Sequence, residues 1–125
     1  MYTFRHDDRV KDLVGRVVDD GRIAAVVCHA TCVLLDARTL DGQLVVAGRT
    51  WTGFANAEED YADEFAGLRI QPFRIEDEAR AVTGTNFVVH GRFRPHAVRH
   101  GNLVTGQQQY SGAAAARLVI EALGR

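Results

Sequence analysis

The side chains of this 125-residue sequence that suit chemistry are two cysteines, five histidines and a short acidic run. Cys28 follows the continuous apolar stretch Ile23-Ala24-Ala25-Val26-Val27 and is followed at once by His29. A buried strand that turns sharply into a helix, with a reactive residue at the corner, is a nucleophile elbow. The strained turn lifts the side chain clear of the sheet, and the helix amino terminus adds partial positive charge. Both favour thiolate over thiol, and the thiolate is the nucleophile. His29 stands where a base or a thiolate partner is needed. The same pattern also reads as a buried structural cysteine, and the residues alone leave both readings open.

Cys32 lies four residues beyond Cys28. It has the spacing of a resolving thiol should Cys28 oxidise to sulfenic acid. Its neighbours Val33, Leu34 and Leu35 favour a small core residue instead. The C-x-x-x-C spacing is not the C-x-x-C of redox or zinc sites, and zinc would need further thiolates. Glu58, Glu59 and Asp60 read, on their own, as a solvated acidic helix start. His90, His96 and His100 sit beside Arg92, Arg94 and Arg99, and no carboxylate occurs between Phe87 and Ser111. Neighbouring cations and the missing carboxylate argue against a metal there, so no metal is expected.

These residues need elements to hold them. Val10, Leu13, Val14, Val17 and Val18 fall on one helical stripe, with Asp7 and Asp8 at its start and Gly21 as its stop. The 23–27 run, lacking polar alternation, suits a strand buried on both faces. Residues 28–37 then read as a turn into a second helix. Helix, strand, turn and helix make half of a doubly wound α/β layer. Further on, Leu44-Val45-Val46 and Arg49-Thr50-Trp51-Thr52 are short-strand candidates between glycines. Ala57–Phe65 is helix-compatible, and Pro72 is expected to open a helix through Ala81. Phe87-Val88-Val89, Ala97-Val98-Arg99 and Leu103-Val104-Thr105 are further strand candidates. Ser111 is expected to cap a last helix over 113–123. Without an opening apolar strand and its glycine-rich turn, the sheet reads as one that starts in the middle.

Composition narrows the function classes. Hydrophobic residues make up 46% and charged residues 25%, as in ordinary globular proteins. The formal charge of −1 gives no footprint for nucleic acid or an anionic membrane, so neither is expected as a partner. Arg92-Phe93-Arg94 therefore reads as a solvated edge and not as a stacking site. Fourteen of the fifteen cations are arginine, which reads as codon bias. No apolar run approaches the roughly 20 residues that span a bilayer. Met1–Arg9 has no signal-like core, and two cysteines make no disulfide framework, so a reduced, cytoplasmic setting is expected.

Four segments, in order, are similar to motifs of one family. Ala25-Val26-Val27-Cys28-His29-Ala30 resembles the A-x-x-C-H-G elbow of the DJ-one/PfpI (ThiJ) family, within the class I glutamine amidotransferase-like superfamily. Gly48–Glu59 is similar to its G-K-x-x-T-G-F-x-N-x-E-E stretch. Pro72–Glu78 resembles its P-F-x-x-E-D-E segment, and Gly101–Gln107 its D-G-x-L-V-T-G-Q hairpin. Two departures stand out: Ala30 replaces the usual glycine, and Gln108-Gln109 replaces an Asn-Pro pair in the loop leading to Ser111.

The resemblance implies a flavodoxin-like three-layer α/β sandwich, incomplete because the amino-terminal strands are lacking. Residues 1–125 correspond to the carboxy-terminal half of such a domain. The missing half supplies opening strands and a glutamate that hydrogen-bonds the cysteine. A late start site, a split protein or a fragment would each explain this. A homo-oligomer, or a separate chain supplying the other half, is expected to cover the exposed sheet edge.

Within the family's glyoxalase-like branch the resemblance implies Cys28, His29 and an acid in the 48–59 segment, Glu59 by spacing with Glu58 as runner-up. The acid orients and charge-stabilises the histidine. The implied function is a cofactor-independent glyoxalase III or deglycase acting on small 2-oxoaldehydes such as methylglyoxal. The alternatives are a non-enzymatic oxidative-stress sensor or chaperone-like protein, and an amidase or peptidase of the same superfamily.

Overall fold

Asp7 starts the first helix, α1 (Asp8–Asp19), its carboxylate accepting the backbone N–H groups of Arg9 and Val10. Only Val18 of the expected stripe is fully buried; Val10, Val14 and Val17 are half-buried and Leu13 is exposed. The computed structural model describes residues 1–125. After α1 come β1 (Ala24–Val27), β2 (Thr50–Trp51), α2 (Asn56–Ala66), α3 (Ile75–Ala81), β3 (Asn86–Phe87), β4 (Ala97–His100), β5 (Leu103–Gly106) and α4 (Gly112–Ala122).

The main sheet has the order β1-β5-β4, with β1 parallel and β4 antiparallel to β5. A separate pair joins β2 and β3 in parallel. Strand alternation places Leu103 and Thr105 on one face of β5 and Val104 and Gly106 on the other. The first face meets a core containing Ala24, Cys32, Val33, Leu34, Trp51 and Phe87. The second lies under α4, whose buried Ala115 faces the sheet. The result is the mixed α/β, flavodoxin-like layering expected from the sequence, with a small sheet.

Several local expectations are corrected. β1 is an edge strand, with Ala25 exposed and Val26 and Val27 half-buried, because nothing pairs with its outer side. The expected second helix is a 3₁₀ segment, Cys28–Leu35. There the Thr31 hydroxyl donates to the Cys28 carbonyl at 2.7 Å, engaging an acceptor an α-helix would use. Leu44-Val45-Val46 forms turns and a single bridge, Arg38 to Leu44, although Val45 and Val46 reach the core. Pro72 does not open α3. Arg74 stays extended before it, its guanidinium held by Asp60, Asp63 and the Asn56 carbonyl. Ser111 precedes α4 without capping it, since its hydroxyl donates to Gln108 and accepts from the His96 N–H.

No helix is long and apolar enough to cross a membrane.

Candidate active site

Cys28 ends the run out of β1 in a left-handed conformation, φ 65°, the region that L side chains avoid. The turn is enforced by close packing. Val27 is in register with Gly106, where an added Cβ would stand 3.0 Å from both Val27 methyl carbons and 3.2 Å from the Ser111 Cβ. On the other side Gly53 passes so near Thr31 that a Cβ would overlap its hydroxyl. The chain therefore leaves the sheet through a corner fixed by two glycines, and the half-exposed Cys28 stands at it.

The structure brings Cys28, His29 and Glu59 together. The Cys28 Sγ lies 3.7 Å from His29 Nδ1, and His29 Nε2 lies 2.8 Å from Glu59 Oε1. Glu59 is on the first turn of α2 and buried, while the His29 side chain is 31% exposed. Phe54 stacks on the imidazole, ring centres 3.9 Å apart. Burial by itself would lower the His29 pKa. The hydrogen bonds to Cys28 and Glu59, with the pull of their charges, outweigh it and raise the value from 6.5 to about 9. The ring is thus an imidazolium at neutral pH, lying between the sulfur and a buried carboxylate.

Glu58 and Glu59 are neighbours on a helix and so point in different directions. Glu59 takes His29, whereas the fully buried Glu58 turns to Ala55, Gln107 and Phe93. Neither carboxylate is the solvated helix start that composition alone suggests. Cys32 is fully enclosed in the core, and burial pushes its thiol pKa up. The three later histidines do not gather. His90 and His96 stack, with ring centres 5.4 Å apart, but His100 closes the far end of β4, where its Nδ1 accepts the Thr50 N–H. Sequence reasoning gives Phe54 and Thr31 no role; the signal for Thr31 is Gly53, whose missing Cβ leaves room for its hydroxyl.

The hollows in the surface lie elsewhere. One of about 450 Å³ between α1 and the 38–42 turn is lined by Asp12, Arg16, Asp19, Arg38 and Leu40, among others, and includes none of the three site residues. Cys28 is half-exposed and directly follows β1, the strand at one edge of the main sheet.

The arrangement can bear a nucleophilic sulfur, donate a proton to an oxygen formed next to it, and take a proton back. Comparisons with known proteins bear on the family and the fold. Among curated proteins nothing matches the chain. A crystal structure known only by a target label shares 35% identity, with a TM-score of 0.85 over 97% of this chain and 53% of its own. Glyoxalase III (Orf 19.251) from Candida albicans shares the fold at 22% identity and a TM-score of 0.81, covering 97% of this chain and 52% of that one. Rapid Encystment Protein 24 kDa from Francisella tularensis does so at 19% identity and a TM-score of 0.83, covering 96% and 52%. This chain therefore spans about half the length of the solved structures it matches. The DJ-1/PfpI family model matches residues 2–122, and the chain belongs to that family.

Proposed function

We propose that the chain carries the catalytic cysteine of a cofactor-independent glyoxalase acting on small 2-oxoaldehydes, of which methylglyoxal is the simplest. The observation that carries the reading is the continuous Cys28–His29–Glu59 relay, with the imidazole placed 3.7 Å from the sulfur and 2.8 Å from the buried carboxylate.

The chemistry follows from that relay. The Cys28 sulfur, as thiolate, adds to the aldehyde carbon, and the His29 imidazolium gives its proton to the oxygen formed. The result is a hemithioacetal. The neutral imidazole then removes the hydrogen of the former aldehyde carbon, and the electron pair moves to the adjacent ketone as an enediolate. Returning the proton to the second carbon, while the hydroxyl proton of the first carbon passes to the second carbon's oxygen, leaves a 2-hydroxy thioester on Cys28. Water hydrolyses it, releasing a 2-hydroxy acid and the free thiol. One carbon is oxidised and its neighbour reduced, so no external oxidant or reductant enters. Glu59 keeps the ring oriented and compensates its charge throughout. The glyoxalase III neighbour supports the substrate class by similarity of fold.

Residues 1–125 act, in this reading, as the carboxy-terminal half of the family domain in a cytoplasmic setting that keeps both thiols reduced. β1 is apolar, uncharged and unpaired outside, an edge without protection. A further polypeptide segment, from another chain or another copy, pairs there and walls the open side of Cys28. Chromatographic quantification of 2-hydroxy acid formed from methylglyoxal tests the catalytic reading. The wild-type protein, supplied with the complementary half where one is identified, forms product and Cys28→Ala does not. Equal formation by both contradicts it.

A further inference from the structure

One buried carboxylate in the site's neighbourhood takes no part in the relay. Glu58 Oε1 accepts the Ala55 N–H at 3.1 Å and the Gln107 side-chain amide at 3.1 Å, and its Oε2 accepts the Phe93 N–H at 2.9 Å. Gln107, also buried, holds His90 by both main-chain groups, accepting its N–H at 2.7 Å and donating to its carbonyl at 3.2 Å. Gln108 donates to the Arg94 carbonyl at 2.6 Å. At its two ends the loop between β3 and β4 is tied by the Val88 N–H to the Trp51 carbonyl and by the His96 N–H to the Ser111 hydroxyl. In between, at His90, Phe93 and Arg94, it is held by Glu58 and the glutamines that follow β5.

The loop is not at ease in this shape. Phe93 has φ 56°, left-handed for a bulky residue, so a specific contact must hold it. Its ring meets Tyr61 of α2 edge-on at 5.2 Å and Tyr110 at 6.3 Å, which carries an aromatic chain from α2 across the loop to the start of α4. Register fixes where this stands. Ala97 of β4 pairs with Gly106, and Gly106 pairs with Val27, the residue before Cys28. Loop and sulfur share one end of the sheet, two strands apart.

We propose that Glu58 is a positioning residue: it latches the 88–96 loop against the sheet end, so that the loop limits which electrophiles and substrates reach Cys28. This deepens the glyoxalase reading by assigning the site's size selection, and it rests on that reading for the reactivity of Cys28. Glutamine cannot replace Glu58. It has one acceptor oxygen, and its amide would set a donor against the Phe93 or Gln107 donor.

The test measures alkylation of Cys28, mapped by peptide mass, with iodoacetamide and with a bulky naphthyl-substituted iodoacetamide; in each case sulfur displaces iodide. In Glu58→Gln the bulky-to-small rate ratio rises about fivefold, the scale of one lost hydrogen bond of roughly 1 kcal/mol. Phe93→Gly, which keeps the N–H and accepts the left-handed backbone, raises the ratio through loss of the ring and decides the matter should Glu58→Gln not fold. Amide exchange at Phe93 quickens in Glu58→Gln alone. A ratio that stays at the wild-type value in both variants, or two rates that change in step, overturns the proposal. A changed ratio in a protein that forms no 2-hydroxy acid sinks the glyoxalase reading and leaves the latch standing.

Discussion

Replacing Glu59 by Gln removes a charge from the relay while keeping an oxygen of nearly the same reach. The wild-type His29 value rises from 6.5 to about 9. At roughly 1.4 kcal/mol per unit, that is about 3 kcal/mol of preference for the imidazolium. Cys28 and Glu59 share this preference, and the His29 side chain is 31% exposed. Solvent screening therefore brings the Glu59 part to about 1 kcal/mol. The His29 ring proton, followed by NMR against pH, is expected to titrate near 9 in the wild type and about one unit lower in Glu59→Gln. The folded value lies above the unfolded one, so the protonated ring stabilises the fold. That contribution is complete below 6.5 and disappears as pH rises through about 9. Denaturant unfolding should show Glu59→Gln weakened by about 1 kcal/mol at the acid end of this window and hardly at all above it. A wild-type His29 titrating near its ordinary value, or a variant deficit that ignores pH, refutes the reasoning.

The strained elbow gives a second prediction. Cys28→Gly and Cys28→Ala both remove the sulfur, but only glycine is at ease at φ 65°, so Cys28→Gly unfolds with about 1 kcal/mol more stability than Cys28→Ala. Trp51 is fully buried, meets Phe87 edge-on at 4.8 Å and donates its indole N–H to Thr85 at 3.0 Å. Thermal unfolding of Trp51→Ala should show a loss of about 3–5 kcal/mol. Gly106→Ala must push Val27 or Ser111 aside; calorimetry should show a loss of about 1–3 kcal/mol, with slower alkylation of Cys28 as the corner shifts.

The corner itself was legible in the amino-acid order because its signals are local. An apolar run and Cys28-His29 are adjacent in sequence, and the 48–59 motif places Glu59 by spacing. Layering was legible for the same reason, since helix and strand periods are short. What was not legible depends on partners far along the chain. The open sheet edge was expected, but the apolar run 23–27 reads as a strand covered on both faces, whereas Ala25 is exposed and Val26 and Val27 are half-buried. Residues 28–35 adopt a 3₁₀ path, with the Thr31 hydroxyl on the Cys28 carbonyl, where the apolar pattern alone reads as an α-helix. Glu58 looks like any acidic helix-start residue until Phe93 and Gln107, 35 and 49 residues away, close on it.

Selective labelling of the two thiols tests the central claim most directly. With limiting iodoacetamide near neutral pH, peptide mapping should find Cys28 modified and Cys32, enclosed in the core, untouched. The rate at Cys28 should fall about tenfold in His29→Ala, the equivalent of roughly 1.4 kcal/mol. A Cys28 that reacts no faster than Cys32, or that keeps its rate without His29, contradicts the account.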